Sequence, residues 1–273
     1  MGSNMDKKFY LYISILGYRF ILVFNNKNIH LYFKKKYLTK NNFFKDIKDK
    51  NNLFTIEVNK INRSFDFVLK INKIKEKFCI KYKIDIKDLD FLIRCFISFF
   101  LFDKGIFFLH GSSLAKKDSA YVFIGPSGSG KTTILKIGKK RGFVPIADDT
   151  SIIYENSNNF YITYSVFDKT CDIKFIHKKF KLKKIFFIKK NIKNYLEKTN
   201  LFKKVDLILK NTLFYNFNQG VKRKNKNLYR HLLTYKPFHK DFLIRKIIFL
   251  VKKIDFFILN FKKDESFLDI LDK

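Results

Sequence analysis

The chain has 273 residues, 47% of them hydrophobic and 30% charged. That allows one large domain or two modest ones with a buried core, and it excludes a disordered chain. Lysine and arginine number 57 against 24 acidic residues, a formal charge of +33, which draws in anions (nucleotides, acidic peptides, RNA, anionic membranes) and disfavours basic partners.

In chain order, FYLYISI at 9–15 and YRFILVF at 18–24 flank Leu16-Gly17 and predict a β-hairpin. IHLYF at 29–33 reads as a further strand, as do LFTIEV at 53–58, FDFVLKI at 65–71 and KFCIKYKI at 77–84. The last of these alternates lysines and Cys79 with apolar residues, the mark of a half-exposed strand. Residues 1–85 therefore form a β-rich N-terminal region, with substrate recognition as a candidate role. The period then changes. Leu89, Leu92, Ile93, Phe96, Phe99 and Phe100 recur at three and four, which predicts a helix stopped by Gly105. Strands follow at 106–115 and 120–125, then a short helix at 132–142. FVPIADD at 143–149 is a strand ending in acids, and TSIIYE at 150–155 continues it or starts a hairpin with FYITYSVF. KLKKIFFIKK at 181–190 and FFILNFKK at 256–263 are later strands, helices are expected near 200–216, 228–233 and 240–252, and DESFLDILDK reads as a terminal helix. Residues 86–273 are expected to be the catalytic domain.

The 35 Phe and 14 Tyr, with no Trp, fit two explanations. One is a coding bias toward A/T-rich codons. The other is a nucleic-acid surface of lysines interleaved with aromatics; the enrichment is spread over the whole chain, which favours the first. Cys79, Cys95 and Cys171 show neither a CxxC pair nor metal-ligand spacing, so free, buried thiols in a reducing compartment are expected. With no apolar leader at the N-terminus, the expected location is cytoplasmic. FLIRCFISFFLF at 91–102 and the charged run at 244–261 each fall short of about 18 uninterrupted apolar residues.

Seven of the ten glycines fall between Gly105 and Gly142. Within that window, Gly125-Pro126-Ser127-Gly128-Ser129-Gly130-Lys131-Thr132 satisfies G-x-x-x-x-G-K-[ST] between an apolar strand and a helix. Glycines let successive N–H groups turn inward as an anion nest, and the helix places its positive end at the same point. Lys131 can reach the β- and γ-phosphates of a nucleotide. Thr132 can offer its hydroxyl to Mg²⁺, with Thr133 the weaker candidate.

A nucleotide site also needs a metal-side acid, and the next strand ends in Asp148-Asp149. One acid can organise the metal and the other accept a proton from an attacking hydroxyl. The plainer alternative is a polar turn capping the next element. His110, at the end of the preceding strand, is a candidate for positioning or deprotonating an acceptor. His30, His177, His231 and His239 lack such a setting and read as surface or packing residues.

The segment 109–149 resembles the catalytic core of HPr kinase/phosphorylase, and still more the smaller HPr-kinase-related serine kinases. The resemblance lies in His110-Gly111, the Ser-Gly-Ser-Gly-Lys loop, Arg141-Gly142 and Asp148-Asp149 at family spacing. It implies an α/β P-loop domain of the HPr kinase C-terminal or phosphoenolpyruvate carboxykinase-like type. Lys131 and the loop would hold ATP or GTP, Thr132 and one acid, with Asp148 as the candidate, would organise Mg²⁺, and one of Asp148 and Asp149 would be the base toward a serine hydroxyl, with His110 close by. Which acid takes which task stays open. The chain departs from the family downstream, where its Glu-rich signature and the Gly-rich segment tied to the phosphorylase reaction are missing. The full-length phosphorylases form hexamers, but much of their architecture is missing from this sequence, so a homo-oligomer is one arrangement left open.

The leading expectation is a nucleoside-triphosphate-dependent kinase acting on a serine hydroxyl of a peptide or protein, with an acidic acceptor fitting the charge. The alternatives are a kinase of free serine or a related metabolite, a nucleotide-dependent regulatory or nucleic-acid-binding ATPase, and a degenerate protein that retains nucleotide binding only.

Overall fold

The computed structural model describes residues 7–37, 53–61, 64–71, 74–80, 86–102, 104–168, 178–213 and 240–271. The chain divides into two compact units, Met1–Ile97 and Ser98–Lys273.

In the first unit, β1 (Phe9–Ile15) and β2 (Tyr18–Phe24) form the expected antiparallel hairpin. Leu16 and Gly17 both take positive φ, 51° and 82°, the turn whose twist matches the strands it joins. Ile29–Phe33 is not a strand. It lies within helix α1 (Lys27–Tyr37), whose buried residues are Ile29, Phe33 and Tyr37. Their spacing of four places them on one face, and the Asn26 side chain accepts the Ile29 N–H at 3.1 Å to start the helix. Helix α1 packs on β1 and β2, where the Phe24 and Phe33 rings stack at 5.3 Å.

Strand β3 (Leu53–Ile61) joins β2 in parallel, and β4 (Ser64–Ile71) and β5 (Ile74–Ile80) add antiparallel strands in the order β1-β2-β3-β4-β5. A parallel neighbour requires a crossover, and α1 lies in it. The strand expected at 77–84 thus begins earlier; residues 81–85 and the side-chain alternation expected there lie outside the described residues. Helix α2 (Ile86–Phe102) buries Leu89, Leu92, Ile93, Phe96 and Phe100 of the expected apolar face, and the Phe99 side chain lies outside the described residues. On its first turns Asp90, 1% exposed, accepts hydrogen bonds from Lys36 (2.5 Å), Arg94 (2.7 Å) and the Tyr37 hydroxyl. A buried carboxylate persists when several donors converge on it.

The second unit is built on an eight-stranded sheet. Strands β6 (Ile106–Lys116) and β7 (Ser119–Ile124) form an antiparallel pair. Helix α3 (Lys131–Lys140) leads to β8 (Val144–Ala147), then β9 (Thr150–Asn156) and β10 (Asn159–Thr163). The hairpin alternative for 150–155 is the one adopted, because β9 pairs antiparallel with β10 across Ser157-Asn158. Strands β11 (Lys179–Lys190) and β12 (Tyr195–Glu197), helices α4 (Leu201–Asn211) and α5 (Lys240–Lys253), strand β13 (Asp255–Phe261) and a 3-10 helix over Glu265–Ile270 complete the unit. The helix expected at 228–233 lies outside the described residues.

The strand order is β10-β9-β6-β7-β11-β13-β12, with β8 also on β6 and β10 also on β11. Strands β7, β11 and β13 run parallel. They read as near-continuous apolar runs because a parallel sheet is covered on both faces; Val122, Phe123, Phe186, Leu259 and Phe261 are buried among them. Ile134 and Leu135 of α3 and Phe267 of the 3-10 helix close over Phe123, Phe186, Leu259 and Phe261. The buried Lys184 ammonium donates to the Leu271 carbonyl at 2.8 Å, tying the end of that helix to β11.

No described helix is long and apolar enough to cross a membrane. The stretch 91–102 lies within α2, and 244–261 divides into α5 and β13. Cys95 is buried, which pushes its thiol pKa far up; the Cys79 side chain and Cys171 lie outside the described residues. His30 stacks on Phe9 at 5.5 Å with its Nε2 3.2 Å from the Tyr10 carbonyl, a packing role. His177, His231 and His239 lie outside the described residues.

Candidate functional site

Strand β6 organises the site. On one edge it pairs with β7, Gly111 opposite Ile124. On the other it pairs first with β9, His110 opposite Thr150, and then with β8, Ser113 opposite Ala147. The step from β8 to β9 is Asp148-Asp149, so both acids lie beside Gly111 and Ser112. The Gly111 N–H donates to the Asp149 carbonyl at 3.0 Å. A Cβ at Gly111 would come within 2.7 Å of the Phe123 carbonyl oxygen, so glycine is what lets β6 and β7 meet at this level.

The glycine loop leaves the carboxyl end of β7, where ligands bind in open sheets with parallel strands. Gly130 takes φ 112° at the start of α3 and a Cβ there would meet the Phe261 ring at 2.9 Å. The loop can therefore lie against β13 only with glycine at this position. Among the described residues no side chain caps α3, and no acid sits in its first turn. Its first N–H groups and positive end are left for an anion.

A cleft of about 350 Å³ opens here, lined by His110, Ser127, Gly128, Gly130, Lys131, Thr132, Thr133, Asp148, Asp149 and Lys263. Gly125, Pro126 and Ser129, expected with the other loop residues, do not line the cleft, and Ser129 is buried. The Lys131 ammonium is folded back on the loop, donating to the Gly125 carbonyl (2.8 Å) and the Pro126 carbonyl (3.0 Å). Desolvation pulls its pKa below the ordinary lysine value, and the charges of Asp149 and Asp148 oppose that pull.

The two acids have different partners. Asp148 Oδ1 accepts the Thr132 hydroxyl at 3.1 Å. Asp149 Oδ1 lies 3.1 Å from His110 Nδ1, with both side chains part-exposed. One acid thus faces the helix hydroxyl and the other the imidazole. Two residues of the site carry no sequence signal. Asp168, 5% exposed, accepts the backbone N–H groups of Asp148, Asp149 and Thr150 through one oxygen. Burial first, and then the neighbouring Asp149 charge, raise its pKa to about 6, while the three backbone hydrogen bonds pull the other way. Lys263 enters from the loop after β13 at φ 70°. Its loop is braced by Asn194, which accepts the Lys262 N–H at 2.7 Å and donates to Asp264 at 2.6 Å.

No family model matches the chain, and no curated protein matches it. Among solved structures it is similar to the HPr(Ser) kinase/phosphatase from Coxiella burnetii. The identity is 14% and the TM-score 0.24, over 33% of this chain and 76% of that chain. A similarity at that level places the chain in no family. What stands on the structure itself is a mixed α/β fold with a cleft at the carboxyl end of β7.

Among the described residues no group of three or more His, Cys, Asp or Glu side chains could hold a metal. Thr132 and Asp148 present two hard oxygen donors side by side instead. Such a pair fits Mg²⁺, which takes one or two protein oxygens and completes its shell with water and phosphate.

Proposed function

We propose that the protein is a nucleoside-triphosphate-dependent kinase that transfers the γ-phosphate of ATP or GTP to a hydroxyl group, with serine of a peptide or protein as the acceptor. The observation that carries this reading is the division of labour between the adjacent acids: Asp148 is joined to Thr132, and Asp149 stands against His110. A site that only held a nucleotide would need the first pair and not the second.

The glycine loop and the start of α3 offer N–H groups to the phosphates. Lys131 exchanges its loop carbonyls for phosphate oxygens, and Lys263 brings a second ammonium to the same cleft. Thr132 and Asp148 would hold Mg²⁺, which when bound neutralises charge on the phosphates. His110 Nδ1–H donates to Asp149 and fixes the carboxylate toward the acceptor. The acceptor oxygen bonds to the γ-phosphorus, the bond to the β,γ-bridging oxygen breaks, and the nucleoside diphosphate leaves with that electron pair. Asp149 takes the proton released by the hydroxyl.

The test is transfer of labelled γ-phosphate to a serine-containing peptide library and to free serine, with the product identified by intact mass. Lys131→Ala should remove turnover. Asp148→Asn with Asp149→Asn should lower transfer by at least about 100-fold while leaving the melting temperature near wild type. Normal transfer by the double variant would overturn the assignment of the acids. Label on free serine rather than peptide would identify a metabolite kinase, and label found only as inorganic phosphate would identify an ATPase.

A further inference from the structure

The step from β8 to β9 poses a backbone problem. Strand β6 pairs with Thr150 on one side of the step and with Ala147 on the other. The Asp149 carbonyl is taken by Gly111. The N–H groups of Asp148, Asp149 and Thr150 all turn to one oxygen of Asp168, at 3.0, 3.2 and 3.3 Å. Consecutive amides converging on one point form a nest, the arrangement that elsewhere binds a free anion. Here the chain supplies the anion from 18 to 20 residues downstream.

This arrangement is costly. Asp168 is buried, and the Asp149 charge lies close enough to repel it. A carboxylate accepting three bonds through one oxygen also constrains more than a neutral acceptor would. It fixes successive peptide planes, and with them the Cα–Cβ directions of both acids. Asp148 is thereby sent to Thr132 and Asp149 to His110.

We infer that Asp168 is a positioning residue of the proposed site, which sets the directions of Asp148 and Asp149 by holding the amides of their turn. This rests on the reading of the cleft as a magnesium–nucleotide site. Asp168 lines no part of that cleft among the described residues and acts only through its neighbours.

The experiment uses the full chain as wild type, Asp168→Ala and Asp168→Asn, each also in an Asp148→Asn background. Affinity for a fluorescent ATP analogue is measured with EDTA and with Mg²⁺, and melting is followed without ligand. Loss of a residue that orients metal ligands typically costs about 10- to 100-fold in metal-dependent affinity. Asp168→Ala should therefore lose that much of the affinity gained on adding Mg²⁺. With EDTA it should stay within about two-fold of wild type, because the loop and Lys131 are untouched. In the Asp148→Asn background it should cost nothing more, since a residue acting through another is silent once that other is gone. Asp168→Asn keeps an acceptor oxygen and should recover part of the loss; it also carries the test if Asp168→Ala fails to fold. Equal losses with EDTA and Mg²⁺, or in both backgrounds, would reveal a general structural role and overturn the inference. So would Asp168 variants that match a magnesium-responsive wild type. A wild type that binds no nucleotide would overturn the proposed function itself.

Discussion

Cys95 shows what burial does to a single titratable group. It lies on α2 at 1% exposure, and desolvation raises its thiol pKa far above the ordinary 9.0; the Arg94 charge lowers it and the Asp90 charge raises it by less. For an acid whose folded pKa is raised, the protonated form is the one the fold favours. The stabilising contribution is therefore fully present below the unfolded pKa and is lost as pH rises above about 9. The chain should lose stability relative to Cys95→Ala between pH 9 and 11 and keep a constant difference between pH 6 and 8, read by denaturant titration. Iodoacetamide at pH 8 should leave Cys95 unmodified in the folded chain and modify it in urea, read by peptide mass. Alkylation of native Cys95 would contradict the burial. At this same scale the sequence is uneven as a guide to the site. Lys131, Thr132 and the two acids announce themselves because each belongs to a short contiguous motif. Asp168 ends an unremarkable Ser-Val-Phe-Asp stretch, and Lys263 is one of 57 basic residues. Both reach the site by tertiary pairing, which no local pattern records.

Helix α1 illustrates the same limit for an element. Five residues, Ile-His-Leu-Tyr-Phe, are aromatic and apolar enough to pass for a strand. What decides for helix lies outside those five: Asn26 ahead of them and Tyr37 behind, which completes the buried row Ile29, Phe33, Tyr37. Strand β12 spans only three residues, Tyr195–Glu197, and exists because β13 presents an edge. The parallel strands β11 and β13 are legible by contrast, since their centres, Ile185–Ile188 and Phe256–Leu259, are unbroken apolar runs. The cap gives a direct test. Asn26→Ala removes the acceptor for the Ile29 N–H and should cost about 1 kcal/mol, seen as faster hydrogen exchange of α1 amides. Asn28→Ala, at an exposed position in the same first turn but outside that bond, should change exchange little. Equal effects from the two would mean that the Asn26 side chain does not start the helix.

For the whole molecule the dominant quantity is the charge of +33. It is spread along both units, so it cannot by itself point to the cleft. Its effect on partners should accordingly separate from the chemistry. A long-range field is screened beyond about 8 Å at physiological salt, whereas contacts to a triphosphate inside the cleft are short. Single-stranded RNA should bind the chain at low salt without base preference, and its affinity should fall linearly in log–log form as salt rises. Lys131→Ala should show the same salt slope, because one loop lysine contributes little to a surface-wide field. ATP binding should respond in the opposite way, falling sharply in Lys131→Ala and only modestly with salt. The two ligands should also be uncoupled: saturating RNA should leave nucleotide turnover unchanged, since adsorption over a broad basic surface favours no state of the cleft over another. Turnover that rises with RNA, and loses that rise when salt displaces the RNA, would mean the surface and the cleft are linked, and would make the chain a nucleic-acid-dependent ATPase in place of a hydroxyl kinase.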